Sequence, residues 1–427
     1  MLEENFTKPV YTQRQQKPLP MKRILFAIPL PYGPDWGFWT RDSGLVVLTL
    51  RDMGYDAWLV ALGDSTTVTT GHPILPVSPE TMKSADWWRA QKPDAVVLNT
   101  WSAPRYDAIR TAALAATPRV VERLDTSGAR SARLFPGPYF IRYWGDYAER
   151  LPAAVRWLAP LPAAAHTALL YSFPALMDIP MVTTMNRLPA VIVESPLAAV
   201  RIEQTFQRFS GTNHRVTMIP HPVNEATIHY NRTPKENRII TVGRWATVQK
   251  DFPMLQKVLK AFLLRHPDWQ ATVVGSGVPA CDLVRDAGTE EWRQRITFHE
   301  KMTHDQLAID YNRSKIYLMV SRFESFCIAA GEALCCGCSV VGSDAVPSSY
   351  YFAETESGTV AATRTVKDFQ KALDNEVERW KNGGRNPEAI ATVSRRRMGS
   401  RAVAEATLAL LKDVVPGARL PDQSPTS

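Results

Sequence analysis

Short apolar runs alternate with longer amphipathic stretches along most of the 427 residues. The runs at 23–29 (RILFAIP), 56–62 (DAWLVAL), 94–100 (DAVVLNT), 119–123 (RVVER) and 190–194 (AVIVE) are continuous rather than alternating. That pattern predicts strands buried on both faces, with helices such as 44–52 between them. It breaks at Pro220–Pro222 and in the polar stretch 231–237, where a hinge is expected. It then restarts with strands at 238–242, 270–274, 315–320 and 339–342. Helices are predicted at 252–265, 303–312, 326–336, 366–380 and 401–414. No period of 20–50 residues recurs, which excludes solenoids and propellers.

Two alternating strand–helix halves predict an α/β fold: two Rossmann-like, doubly wound parallel-sheet domains facing across an interdomain cleft. The expected division is a first domain at 21–232, a second at 233–395, and a helix at 396–415 crossing back to the first. Residues 1–20 and 416–427 are polar or proline-rich and are expected to be disordered. Ligands of such sheets sit beyond the carboxyl ends of the strands, so the loops there carry the chemistry.

Composition narrows the class only a little. Apolar residues make up 45% and charged residues 22%, an ordinary globular balance. The net charge of +8 divides into +5 over 1–232 (24 basic, 19 acidic) and +3 over the rest (26 basic, 23 acidic). An excess spread this evenly excludes a basic nucleic-acid arm and suits anionic substrates or an anionic surface. Four of the five cysteines crowd into 327–338, which is no disulfide framework and fits a reducing cytosol. Residues 1–20 lack an apolar core, so no signal peptide is expected there. Residues 157–177 carry no formal charge, yet Pro160, Pro162 and Pro174 argue against a membrane span. A buried or membrane-facing segment of a soluble domain is the expectation.

Two constellations stand out. The strand ending at Val242 delivers Gly243, where backbone can approach a ligand, and Arg244 and Lys250 follow. Two cations at a strand's carboxyl end can neutralise a diphosphate, although solvated surface cations would look the same. The second runs from Ser321 to Leu334. Ser325 is a natural N-cap for a helix to about Gly337, whose first turn is an anion site. Glu324 precedes that helix and Glu332 lies inside it, among alanine, leucine and cysteine. Eight helical residues span ~12 Å, too far for the two carboxylates to share a proton or flank one bond. They suit gripping opposite parts of an extended ligand, and a core partner for Glu332 is the plainer alternative.

Together these residues carry a resemblance. Val242-Gly243-Arg244 with Lys250, Val274-Gly275-Ser276-Gly277, Phe298-His299-Glu300 with Leu307 and Tyr311, Glu324-x7-Glu332, and Gly337–Asp344 come in one order. The pattern over about 238–380 resembles the donor domain of family 4 glycosyltransferases of GT-B fold. These are retaining enzymes that use nucleotide-diphosphate sugars. The resemblance implies that Gly243, Arg244, Lys250 and Gly275 meet the donor diphosphate. It implies that Glu324 and the backbone of Ser325, Phe326 and Cys327 hold the transferred sugar and its phosphate. Glu332 would accept from the ribose hydroxyls, and the loop around Glu300 and Met302 would meet the base.

The amino-terminal half matches by arrangement. The paired glycines usual after the first strand are absent, and Trp36-Gly37-Phe38-Trp39 stands there instead. Those aromatics either stack on a sugar or pack under the loop. After the fourth strand the family often has a histidine; here Asp125 is the candidate polar contact, and a turn-forming role would look alike. Pro220–Asn224 reads as a structural junction.

Other signals point away from alternative chemistry. Cys335 and Cys338 form a Cys-x-x-Cys with no partner pair at metal-site spacing, so buried thiols are expected. Gly275-Ser276-Gly277 lacks the rest of a dinucleotide fingerprint. No Asp-x-Asp occurs, so metal independence and no cofactor are expected, with Arg244 and Lys250 neutralising the diphosphate. The run Ser394–Arg397 reads as a solvated face, with anionic headgroup contact the sharper alternative.

The expectation is a cytoplasmic retaining glycosyltransferase, peripheral at the inner face of the membrane. Its partners would be a nucleotide-sugar donor and a glycan or lipid-linked acceptor of cell-surface polysaccharide synthesis, and not nucleic acid. A nucleotide-sugar epimerase of GT-B fold and a catalytically silent sugar-binding module stay open.

Overall fold

In the computed structural model the residues described are 21–33, 37–63, 71–101, 103–126, 128, 136–173, 178–211, 214–277, 291–353 and 356–414. The expectations for 1–20, 416–427 and Trp36 fall outside them.

Seven strands form the first sheet: β1 (Arg23–Pro31), β2 (Asp56–Leu62), β3 (Ile74–Val77), β4 (Ala95–Leu98), β5 (Val120–Arg123), β6 (Ala190–Val193) and β7 (Val216–Met218). Six form the second: β8 (Glu236–Val242), β9 (Gln270–Val274), β10 (Ile296–His299), β11 (Ser314–Leu318), β12 (Ser339–Ser343) and β13 (Gly358–Ala361). Every pairing is parallel. The orders are β3-β2-β1-β4-β5-β6-β7 and β10-β9-β8-β11-β12-β13, so both sheets reverse direction beside their first strand. These are the two doubly wound sheets expected from the sequence. The strands not anticipated (β3, β7, β10, β13) lie at or near sheet edges, where pairing rather than apolar pattern defines them.

Helices cover both faces of each sheet. Ile24, Phe26 and Ile28 of β1 pack with Val46, Val47 and Leu50 of the helix Asp42–Asp52. Val403, Leu408 and Leu411 of the final helix, Ser400–Asp413, join that same core. The last helix of the described residues is therefore packed into the first domain, and Arg215 and Asp413 close its end at 2.7 Å. In the second domain Leu255, Val258 and Phe262 of the helix Phe252–Arg265 pack on Val273 and Leu318.

Two chain segments cross between the domains, and they are tied together. The Val223 amide donates to the Met398 carbonyl at 2.7 Å, and the Ser400 amide donates to the Val223 carbonyl at 3.0 Å. Val223 also bridges to Arg41, so the crossing is stitched to the start of the helix Asp42–Asp52. Gly399 lies within this stitch, where a Cβ would come 2.5 Å from the Glu225 carboxyl carbon.

Candidate active site

A doubly wound sheet opens a crevice where its strand order reverses, because the loops from the two central strands diverge there. In the second domain those strands are β8 and β11. The loop after β8 carries Gly243, Arg244 and Lys250, and the loop after β11 carries Ser321 to Cys327. Both constellations found in the sequence thus emerge at one crevice.

The β8 loop is held by backbone contacts that glycine alone permits. The Gly243 amide donates to the Val274 carbonyl at 3.0 Å, and the Gly275 amide donates to the His299 carbonyl at 2.8 Å. Gly275 has φ +131°, and a Cβ there would sit 1.7 Å from the Gly243 carbonyl oxygen. A side chain at that position would push the two loops apart. Arg244 stands exposed at the rim.

Lys250 meets Glu324 across the crevice, Nζ to Oε1 at 2.6 Å, with the carboxylate only 7% exposed. Burial works against the lysine's charge, but Glu324 outweighs it and holds the Lys250 pKa above the ordinary range. Gln249, which the sequence reading passed over, donates to Glu324 Oε2 at 3.1 Å and to the Phe323 carbonyl at 3.0 Å. Asp251, which follows Lys250, is buried with φ +52° and pairs with Arg322 at 3.2 Å and with Arg364. Ion pairs on both sides of the loop therefore fix where the Lys250 ammonium points.

The helix expected to offer an anion site begins later than the sequence suggests. It spans Ile328–Cys335, with Cys327 rather than Ser325 at its N-cap and φ +74° there. The reason is Phe326: its ring is fully buried, 5.5 Å from Phe352 and 5.8 Å from His221 between centroids. Drawing that ring into the core turns the backbone into the left-handed region before the helix can start. Residues 324–327 are thus a loop, and the ~12 Å spacing of Glu324 and Glu332 from helical rise no longer applies. What remains is a loop wrapped over a helix N-terminus, whose first amides lack partners within the helix.

Glu332 is buried, and its partner is neither an arginine nor a backbone amide. The Tyr311 hydroxyl donates to Oε2 at 3.1 Å, and His304 Nε2 lies 3.7 Å from Oε1. Burial pushes the carboxyl up to about 7, against the Tyr311 hydrogen bond and the charge of Arg41. Burial and Arg41 also push His304 below its ordinary value, so it meets Glu332 uncharged at neutral pH. Arg41 belongs to the first domain, which places that domain's edge beside this carboxylate.

Asp125 lies where the first domain faces the donor loop. It has φ +44°, and its Oδ1 is 3.3 Å from His221 Nε2. His221 Nδ1 is 2.9 Å from Asp42 Oδ1, so one imidazole is clamped by two carboxylates. Burial opposes the imidazolium, but Asp42 and Asp125 together raise the His221 pKa to about 10. Burial would likewise raise Asp125, yet His221, with help from the Ser325 hydroxyl and Arg123, holds it well below the usual carboxylate range. Behind them the buried Glu194 accepts the backbone amides of Asp125 and Thr126 at 3.2 and 3.1 Å. Burial and the neighbouring Asp125 push Glu194 up to about 7.

The sequence predicts a structural junction at Pro220–Asn224 and shows no histidine after the run 119–123, which is β5. A histidine, His221, does lie beside Asp125 in space, supplied 96 residues downstream. Only its position in the doubly bonded crossing brings it in, so no local motif could announce it. Asp125, Glu194 and His221 each bring one ligand atom within 4.8 Å of the others. A charged imidazolium has no lone pair to give a cation, and Arg123 lies 3.5 Å from Glu194, so this donor set suits an ion-pair network.

The structure places Glu300, exposed, and Met302, half-buried, on the loop between β10 and the helix His304–Arg313. It does not join them to the Lys250–Glu324 pair. Phe38 and Trp39 pack against the first core under their loop, with Trp39 stacked on His72 at 4.4 Å. Cys335, Cys336 and Cys338 are buried free thiols. Lys235 donates to the Cys336 carbonyl at 2.7 Å, and the Cys338 thiol bonds the Tyr311 carbonyl at 3.0 Å. In the run Ser394–Arg397 the serine is buried and Arg397 lies 4.0 Å over the Tyr351 ring, which leaves Arg396 as its exposed cation.

Residues 225–387 match the family model described as glycosyl transferases group 1. An uncharacterized glycosyltransferase of Haemophilus influenzae is 25% identical over 198 residues, which are 45% of this chain and 55% of that protein. The chain thus matches about half the length of this curated relative. Among solved structures, a glycosyltransferase from Rickettsia africae aligns with a TM-score of 0.63 at 13% identity, covering 94% of this chain and 100% of its own. Sucrose-phosphate synthase from Thermosynechococcus elongatus gives 0.61 at 14%, covering 92% and 99%. Anabaena HepE in complex with UDP gives 0.61 at 14%, covering 92% and 100%. At such identities these likenesses establish the fold, which is GT-B. Within it, residues 225–387 are similar to the group 1 glycosyl transferases.

Proposed function

We propose that the protein is a retaining glycosyltransferase that moves a sugar from a nucleotide-diphosphate sugar to a glycan or lipid-linked acceptor. Cell-surface polysaccharide synthesis on the cytoplasmic side of a membrane is the setting this reading implies. The observation that carries it is the braced Lys250–Glu324 pair at the reversal point of the second sheet. A fixed ammonium beside an exposed Arg244 suits a diphosphate, and a carboxylate one side chain away suits sugar hydroxyls. UDP in the HepE complex makes uridine donors the first to try.

In this reading residues 21–232 form the acceptor side and 233–395 the donor side. Gly243 and Gly275 let backbone approach the phosphates. Lys250, Arg244 and the amides of Ser325, Phe326 and Cys327 stabilise charge on the leaving diphosphate. Glu324 holds the transferred sugar, Glu332 the ribose, and the Glu300–Met302 loop the base. Asp125, fixed by His221, is the polar contact on the reacting face. The acceptor oxygen attacks the anomeric carbon as the bond to the diphosphate breaks on the same face. The acceptor's proton passes to the departing phosphate oxygen, so no side-chain nucleophile is needed.

The test is slow donor hydrolysis without acceptor, followed by proton NMR on a panel of nucleotide sugars. The reading expects release of nucleoside diphosphate and a first-formed sugar of the donor's own anomeric configuration. An inverted sugar would remove retention. No cleavage of any donor with or without acceptor, or an epimerised sugar, would remove transfer.

A further inference from the structure

Among the described residues twelve large hydrophobic side chains are exposed, and six of them fall within 155–173: Val155, Trp157, Leu161, Leu169, Tyr171 and Phe173. Trp157 is 75% and Leu161 67% exposed. Single exposed apolar residues are ordinary, but such a concentration marks a contact surface. The helix Pro160–Ser172 buries Ala163, Thr167 and Leu170, while Leu161, Ala164, Ala165, Ala168 and Leu169 are exposed on its other side. A helix on a wetted surface would be polar there. Packing holds this face outward: His166 stacks on Tyr143 at 3.9 Å and bonds the Tyr147 hydroxyl at 3.3 Å, both on the helix Pro136–Arg150.

Charge selects the occupant. No acidic residue occurs from Leu151 to Met177, while Arg150 and Arg156 are exposed at the border, with the exposed Glu149 beside Arg150. A second copy would meet those cations with the same cations. Anionic headgroups would meet them with opposite charge, and acyl chains would take up the apolar face. The helix has 13 residues, ~20 Å, against a hydrocarbon core of ~30 Å. No helix among the described residues is long and apolar enough to cross a membrane, so this one would lie along the surface.

We propose that the face built by residues 153–173 docks the protein on an anionic lipid bilayer. Trp157 and Phe173 enter the interface at its two ends, Leu161 and Leu169 between them, and Arg150 and Arg156 meet the headgroups. The helix Pro136–Arg150 that supports this face also reaches the candidate active site. Its Trp144 lies 4.3 Å under the Arg322 guanidinium, and its Gly145 faces the Phe323 ring. The docked face is therefore one helix away from the donor loop. That the acceptor itself resides in the bilayer rests on the transferase reading; the docking does not.

The test sediments the full chain, with no donor or acceptor, alongside vesicles of phosphatidylcholine alone or of equal parts phosphatidylcholine and phosphatidylglycerol. Strong binding to the anionic vesicles and weak binding to the neutral ones is expected. Trp157→Ser with Leu161→Ser lowers that binding about tenfold or more. Arg150→Glu with Arg156→Glu abolishes the preference for anionic vesicles. These positions are exposed, so unfolding temperatures stay within a degree or two of the parent. Absent binding, equal binding to both vesicles, or unchanged binding of the serine variant overturns the proposal. Self-association in solution that the serine variant abolishes also overturns it, in favour of a second copy. Donor hydrolysis is scored separately, so docking and transfer can fail independently.

Discussion

The two sheets share one strand order, yet their reversal points are built differently. In the second domain the crevice holds an exposed Arg244, a charged Lys250 and a carboxylate, on loops that glycine and the Asp251 ion pairs hold still. In the first domain the charge is centred on a buried residue: Asp42 and the more exposed Asp125 clamp His221 beside the crossing between domains. One set sits on loops braced by their own ion pairs, and the other is organised around a buried imidazole, with Asp125 at its open side. The same topology thus carries two differently built sets of loops, which is where a fold hosts function.

Substitutions that break this contrast should differ in what they damage. Lys250→Ala is expected to cost about a hundredfold or more in turnover, the scale of losing one fixed transition-state charge, and some stability as well, because the buried Glu324 loses its cation. Equal activity in steady-state assays would put the catalytic charge elsewhere. His221→Gln should weigh more heavily on stability. It removes the centre of a buried ion network and should cost about 3 kcal/mol of stability at neutral pH, read by chemical denaturation. Because the His221 pKa is raised from 6.5 to about 10, its contribution is full below 6.5 and fades as pH rises through 10. A stability difference independent of pH would deny that the imidazolium is the stabilising form.

Glu332 sharpens the comparison through its pH dependence. Its pKa is raised from 4.5 to about 7, so the folded protein holds an extra proton between those values. Stability contributed by the neutral carboxyl is therefore lost as pH rises from 4.5 to 7, and Glu332→Gln should stabilise the free protein by about 1–3 kcal/mol at pH 8. Ribose hydroxyls favour the ionised form, so nucleotide affinity should be about tenfold higher near pH 8 than near pH 6. Calorimetry of Glu332→Gln should show weaker binding with that slope gone; a retained slope would assign it to Glu194 or another group. The smallest effect expected is for Arg244→Ala. Its side chain is exposed, and a loss of about tenfold in catalytic efficiency, relieved at high donor concentration, is the scale of one charge-assisted contact.

Legibility followed the same division. The central strands were visible because burial on both faces leaves continuous apolar runs, as in 23–29 and 238–242. The candidate residues of the second domain were visible because a strand, a glycine and two cations lie within nine residues of one another. The His221 clamp was not, since Asp42, Asp125 and His221 come from three distant segments joined only by folding. The late start of the helix Ile328–Cys335 was also hidden. Ser325 has the chemistry of a cap, and only the pocket awaiting Phe326 overrides it. The segment 157–177 showed its lack of charge but not which side chains would face outward.

The central claim is that the reversal point of the second sheet binds a nucleotide-diphosphate sugar. Thermal unfolding of the parent, Lys250→Ala and Glu332→Gln across a panel of nucleotide sugars tests it most directly, because ligand binding raises stability by mass action. The account predicts that one donor raises the parent's unfolding temperature and that the shift shrinks in both variants. A shift of equal size in all three proteins, or none with any donor, would contradict it.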